Sequence, residues 1–347
     1  MKTKVSKKIL ITAIVIVALI LFYIILGVLP RKHTFEGENP MLKDGELPIL
    51  IAHGGGNKEF PDNTLEAFYN AYSVDKRVMM ETDVSITKDG VLILSHDTTL
   101  DRKTNVTGEI ADWNYTDLIS ERVDFGYTNP TKDQRLDGER VHFKGADGKE
   151  KYPTDVEYPE GVTPRDGEIF FATTLEELMV AFPENRINVE IKQSGELGIA
   201  ALDEAIRLLE KHDAFDRVVL ASFHSEIYDE FKERIADGRA PKQLLFSPAT
   251  SGVVKYFLLF TFNLDMFFRD GVCVFQLPTE EYGIRLDTKA LVANAHAHNI
   301  AVHYWTINDE EEMRYLISIG ADGIMTDYPH RLQSVLQEHS ARLACYP

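Results

Sequence analysis

After Pro48 the chain repeats one unit many times: a short run of β-branched residues, then a longer amphipathic stretch. The strand candidates are 49–53, 78–84, 91–95, 187–191, 218–222, 243–246, 272–276, 301–305 and 323–326. Helical periodicity falls between them at 64–74, 174–181, 198–212, 225–235, 288–298 and 309–319. Alternating strands and helices predict a parallel sheet with helices outside it. Nine candidates is one too many for an eight-stranded barrel. Only Ser85-Ile86-Thr87-Lys88-Asp89-Gly90 separates 84 from 91, and parallel neighbours need a crossover of about a dozen residues or more. The run 91–95 therefore folds back as a hairpin, and the other eight predict a (β/α)8 TIM barrel. A doubly wound open sheet is the alternative, but the first strand leads into Gly54-Gly55-Gly56 and not the G-x-G-x-x-G of a dinucleotide fold.

Three segments break the rhythm. From Asp124 to about residue 170 the chain is rich in Asp, Gly, Lys and Pro without sustained periodicity, which predicts an insertion above the barrel mouth. Residues 9–29 are an uninterrupted apolar run of 21, long enough as a helix to cross the hydrocarbon core of a bilayer. Four lysines precede it and no A-x-A-like cleavage site follows, so residues 1–32 read as an uncleaved signal anchor with the N-terminus inside. The domain that follows is then expected outside, on a single-pass cell-membrane protein; a cleaved signal peptide is the alternative. Residues 33–48 read as a polar linker, 49–335 as the barrel domain and 336–347 as a C-terminal tail.

Charge narrows the partners. The first 32 residues carry six bases and no acid, leaving 31 bases against 55 acids and a net charge of −24 for the remainder. So acidic a body is a poor match for nucleic acid, whose binding depends on Lys and Arg neutralising phosphates.

Activity in such a barrel sits at the C-terminal ends of the strands. The first strand ends at His53, and the second contains Glu81 and Asp83, two apart and thus on one face. The third carries Glu190 and Lys192 on one face, and the hairpin ends at His96-Asp97. Each has an ordinary reading taken singly: a salt-bridged barrel layer, a hydrogen-bonded strand-end histidine, a turn. Together they describe a metal-assisted attack on a phosphate ester. Three carboxylates suit Ca²⁺ or Mg²⁺. Two flanking histidines suit acid–base work near neutral pH. Lys192 suits an anionic group as a point charge. His224 and His303 are open between pocket and core, while His296 and His298 read as surface helix residues.

The motifs Ala52-His53-Gly54-Gly55, Pro61-Asp62-Asn63-Thr64, Glu81-Thr82-Asp83-Val84, His96-Asp97, Val189-Glu190-Ile191-Lys192, Trp305-Thr306-Ile307-Asn308 and Thr326-Asp327-Tyr328-Pro329 follow in one order. In that order the chain resembles the glycerophosphodiester phosphodiesterases over about residues 49–335. The resemblance implies a barrel fold and metal-dependent hydrolysis of glycerophosphodiesters to an alcohol and sn-glycerol 3-phosphate. By motif, it implies His53 and His96 as the catalytic pair and Glu81, Asp83 and Glu190 as ligands to Ca²⁺ or Mg²⁺. It also implies Lys192 as the phosphate contact and Trp305 as an aromatic wall of the substrate site. Gly54 stands where the family usually has Arg, and Asp62 where it usually has Glu. The run 253–268 reads either as one apolar barrel helix or as a greasy lip that admits an acyl chain. The latter favours a lysophospholipase D over an enzyme for soluble diesters. A non-catalytic surface binding protein on the same barrel is the reading from another class.

Overall fold

The structure is a computed structural model and describes residues 7–128 and 140–345. Lys2 and Lys4 of the predicted basic stretch, residues 129–139 of the predicted insertion, and the last two residues lie outside the described part.

Eight parallel strands form the barrel: β1 (Ile49–His53), β2 (Met79–Ile86), β4 (Ile187–Ile191), β5 (Val218–Ala221), β6 (Leu245–Phe246), β7 (Val274–Leu277), β8 (Ala301–Tyr304) and β9 (Gly323–Thr326). The ladder runs β6-β5-β4-β2-β1-β9-β8-β7. The seam between its two ends is bridged by the Cys273 amide donating to the Phe246 carbonyl at 3.2 Å. The expected hairpin strand, β3 (Leu92–Leu94), pairs antiparallel with β2 and lies outside this circle. Around the barrel run α2 (Leu65–Val74), α3 (Leu175–Ala181), α4 (Gly195–Lys211), α5 (Ser225–Asp237), α6 (Thr250–Thr261), α7 (Lys289–Ala297), α8 (Glu310–Ile319) and α9 (Pro329–Cys345). Their starts follow ordinary capping chemistry: the Thr64, Thr174 and Thr288 side chains each accept from the amide three residues on. Helix α9 runs through the 335/336 boundary expected for a tail and buries Leu332, Val335 and Leu336.

The period-two alternation of each strand divides its residues between two environments. Leu50, Ala52, Val189 and Ile191 face the helices, in one large apolar core. Ile49, Ile51, Met79, Val219, Leu245 and Met325 form a smaller cluster that closes the floor of the barrel. Continuing up the same inward rows, His53 follows Ile51, and Glu81 and Asp83 follow Met79. An apolar floor thus carries a polar layer above it.

The segment 33–48 is not the polar linker its composition predicts. Phe35 and Met41 insert into the barrel-floor cluster. Asn39 is buried and donates to the carbonyls of Cys273 at 2.7 Å and Asn299 at 2.8 Å. Burying a chain segment requires its polar groups to be paired, and here the barrel bottom supplies the partners. His303, inside the floor, bonds the Met41 carbonyl at 2.8 Å through Nε2. His298 is likewise not a surface residue: it is fully buried, with Nε2 2.9 Å from Asp265 and Nδ1 3.2 Å from the Lys32 carbonyl.

Preceding this arm, α1 (Lys7–Val28) is apolar on all sides, largely exposed, and long and apolar enough to cross a membrane. The region expected as an insertion carries a small two-stranded ladder, Tyr127–Thr128 with Val141–His142. It buries Phe125, Phe143 and Phe170 and leans on the loop after β1, where the Ala146 amide donates to the Lys58 carbonyl at 2.8 Å.

Candidate active site

All seven residues singled out from the sequence line one cavity of about 210 Å³ at the C-terminal ends of the strands. Strand register brings four of them together. His53 on β1 lies opposite Glu81 on β2, and Asp83 lies opposite Glu190 on β4. Ligand oxygens of Glu81, Asp83 and Glu190 all lie within 4.8 Å of one another. Burial pushes the Glu81 carboxyl up, and the neighbouring Asp83 charge pushes it further; Glu190 is pushed up by burial as well. Three converging carboxylates, two of them fully buried, are stable together only with positive charge among them. An all-oxygen donor set of this kind fits a hard divalent cation.

Lys192 supplies part of that charge. Its Nζ lies 2.9 Å from Glu190 and 3.4 Å from Asp83. Burial would lower its pKa, but these carboxylates raise it above the usual lysine value. Beyond it, Phe223 meets Trp305 edge-on with centroids 5.9 Å apart, giving the cavity one aromatic side. His224 sits just outside, bonded to the Lys192 carbonyl at 3.0 Å.

The two histidines line the same cavity as this cluster and sit in similar settings. His53 Nδ1 lies 2.7 Å from Asp327, the residue after β9. His96 Nδ1 lies 2.9 Å from Asp97. In each ring Nε2 has no hydrogen bond among the described residues. Burial would lower the His53 pKa, but the hydrogen bond to Asp327 and the charges of Glu81 and Asp83 outweigh it and raise it to about 9. The bond to Asp97 raises His96.

The orienting residues were not apparent as site residues in the sequence. Asp327 is itself fixed by Asn308, whose Nδ2 donates to it at 2.7 Å. Asp97 accepts from Arg102 Nε at 2.6 Å. Asn63, in the left-handed region at φ 60°, accepts from Thr82 Oγ1 and the Asp83 amide while donating to the Asp83 carboxylate at 3.1 Å. Asp327 and Asn308 both fall within the quoted motifs, the first immediately beyond β9 and the second four residues beyond the end of β8, and that position is the signal that marks them.

The two departures from the family pattern meet each other. Gly54 has φ +54°, and a Cβ there would come 2.9 Å from the Asp62 Cβ. Its amide donates to Glu81 at 2.9 Å. Asp62 pairs with Lys103 and lies near Arg102, cations that outweigh its burial and hold its carboxyl below the usual range. It therefore faces these cations and not the carboxylate cluster.

The profile of the glycerophosphoryl diester phosphodiesterase family matches residues 53–331. The chain belongs to that family. It is a phosphoric diester hydrolase built on a TIM barrel. Family members generally depend on a divalent metal, and the acidic cluster has the donors to hold one. Among relatives, a lysophospholipase D of Rattus norvegicus is 28% identical over 84% of this chain and 87% of its own length. A glycerophosphodiester phosphodiesterase of Bacillus altitudinis is 24% identical, over 83% and 98% respectively. A phosphodiesterase of Oleispira antarctica, solved with the product sn-glycerol-3-phosphate, shares the fold with a TM-score of 0.58. It is 19% identical, covering 84% of this chain and 97% of that one.

Proposed function

We propose that this family member hydrolyses glycerophosphodiesters at the cavity between His53 and His96, with Glu81, Asp83 and Glu190 holding Ca²⁺ or Mg²⁺. The observation that carries the reading is that three converging carboxylates and two Asp-held histidines line one cavity. A bound divalent cation supplies charge stabilisation at the phosphate oxygens. One histidine takes the proton from the attacking oxygen, whether water or the substrate's own glycerol hydroxyl. The other gives a proton to the departing alcohol as the phosphorus–oxygen bond breaks. With Nδ1 fixed by a carboxylate, each ring presents Nε2 for these transfers. Lys192 holds a phosphate oxygen, and Trp305 with Phe223 flanks the rest of the substrate. The chain is anchored by α1, with the barrel outside the cytoplasm.

A second reading, lysophospholipase D activity, is favoured by one specific feature. A groove of about 360 Å³ lined by Val253, Phe257, Leu277 and Leu286 shares Phe223, Pro248, Gln276 and Trp305 with the catalytic cavity. Its apolar walls suit a single acyl chain.

Product analysis tests both readings on glycerophosphocholine, glycerophosphoethanolamine and a lysophospholipid. Chelation should abolish turnover, and added Ca²⁺ or Mg²⁺ should restore it. Full activity in excess chelator would overturn the metal assignment. Release of a lysophosphatidic acid but no sn-glycerol 3-phosphate would select the second reading.

A further inference from the structure

The groove continues onto an exposed apolar face. On α6, Val254 and Leu258 are each about half exposed, and Phe262, the residue that caps its C-terminal end four positions after Leu258, is 60% exposed. Phe267 is as exposed as Phe262. Across the groove stands the hairpin Glu280–Glu281 with Ile284–Arg285, where Tyr282 at the tip is 94% exposed. Apart from α1, exposed large apolar side chains elsewhere among the described residues, such as Val180 and Tyr315, stand singly on other helices. A contiguous apolar face beside a functional cavity marks an interaction surface.

The occupant is indicated by what the same segment holds. The end of α1 is tied to the chain just beyond α6. Asn263 Nδ2 donates to the Tyr23 carbonyl at 3.4 Å, and Arg31 Nη2 donates to Asn263 at 3.1 Å and Asp265 at 3.0 Å. The point where α1 leaves the barrel is therefore the point where the stripe ends. From there the stripe climbs about 12 Å, at 1.5 Å per residue, from Phe262 to Val254 beside the cavity. We infer that this face is a membrane-contact surface, laid on the bilayer beside α1, and that the groove opens through it to lipid chains. The inference rests on the reading of α1 as a membrane anchor. An acidic body gives such contact no electrostatic help on anionic lipid, so the attachment is apolar and works on zwitterionic lipid.

The full chain, in a Cys345→Ser background, is reconstituted into phosphatidylcholine vesicles with brominated acyl chains. An environment-sensitive fluorophore is attached to Leu258→Cys, Tyr282→Cys or, as a control, Val180→Cys. Quenching at 258 and 282 with none at 180 is the expected result. In parallel, Phe262→Asp with Phe267→Asp should leave glycerophosphocholine turnover unchanged and slow turnover of vesicle-borne lysophospholipid about tenfold. If the chain fails to float with the vesicles, the anchor reading and this inference fall together. If it floats but positions 258 and 282 are unquenched, the inference falls alone. Self-quenching between labelled chains in place of lipid quenching would assign the face to a second copy and overturn the inference equally.

Discussion

Asp327 and Asp97 each take the Nδ1 side of a histidine, and the consequence is kinetic. General acid or base catalysis typically contributes about 10²–10⁴-fold, so His53→Ala and His96→Ala should each lower kcat by about that factor. The double variant should lose far less than the product, because the two serve one proton path. Melting temperature should change little, since both rings sit at strand ends above the packed floor. Near-normal kcat in either single variant would remove that histidine from the mechanism. The two rings serve one proton path and are coupled, so the pH profile should be bell-shaped with limbs belonging to the pair. At this level Glu81, Asp83, Glu190 and Lys192 were legible because two-residue spacing fixes which side chains share a strand face, His53 and His96 because they stand at strand ends, and Trp305 through the family motif alone. Asp327 was less legible: it lies 274 positions from His53, and no local pattern announces the bond between them.

Strands and helices were legible wherever period and length agreed. Crossover length alone placed β3 outside the barrel, and β1, β4 and β9 keep the expected bounds. The arm from 33 to 48 was illegible for a physical reason. Phe35 and the pair Met41-Leu42 are among the few apolar residues in a polar stretch, with no periodicity to show that a barrel floor waits for them. His298 was misplaced likewise, because its partners, Asp265 and Lys32, belong to that docking. The docking turns on Asp265, which is buried against Arg31, His298 and Asn294. Burial raises its pKa, but the bonds to His298, Arg31 and Asn294 outweigh this and hold it below the usual carboxylate range. A carboxyl depressed in the folded state contributes stability that is present above its unfolded pKa, about 3.9, and lost as pH falls through the folded value. Asp265→Ala should cost about 3–5 kcal/mol near neutral pH by leaving buried charge unpaired. Denaturant midpoints measured at pH 7 and at about pH 3 should show the gap between variant and parent narrowing in acid. A gap independent of pH would refute this account.

For the molecule as a whole, composition and topology point the same way. Four lysines before the apolar run, against Arg31 and Lys32 just after it, are the distribution expected when the N-terminus stays inside and the barrel is translocated. Protease added to intact cells should therefore digest the barrel. Protection until lysis would reverse the orientation.

The arm beneath the barrel floor leaves almost no slack between α1 and the catalytic head. A flexible leash of 16 residues would let a head sample a hemisphere with a radius of roughly 20–25 Å. Here the same stretch plugs the barrel floor, so α1, as the anchor proposed above, would hold the head at one height and in one orientation. An enzyme mounted this way does not sweep the surrounding medium. On a lysophospholipid it would meet substrate by drifting in the plane of the sheet that holds it, at an encounter rate set by lateral diffusion and by how much substrate that plane contains.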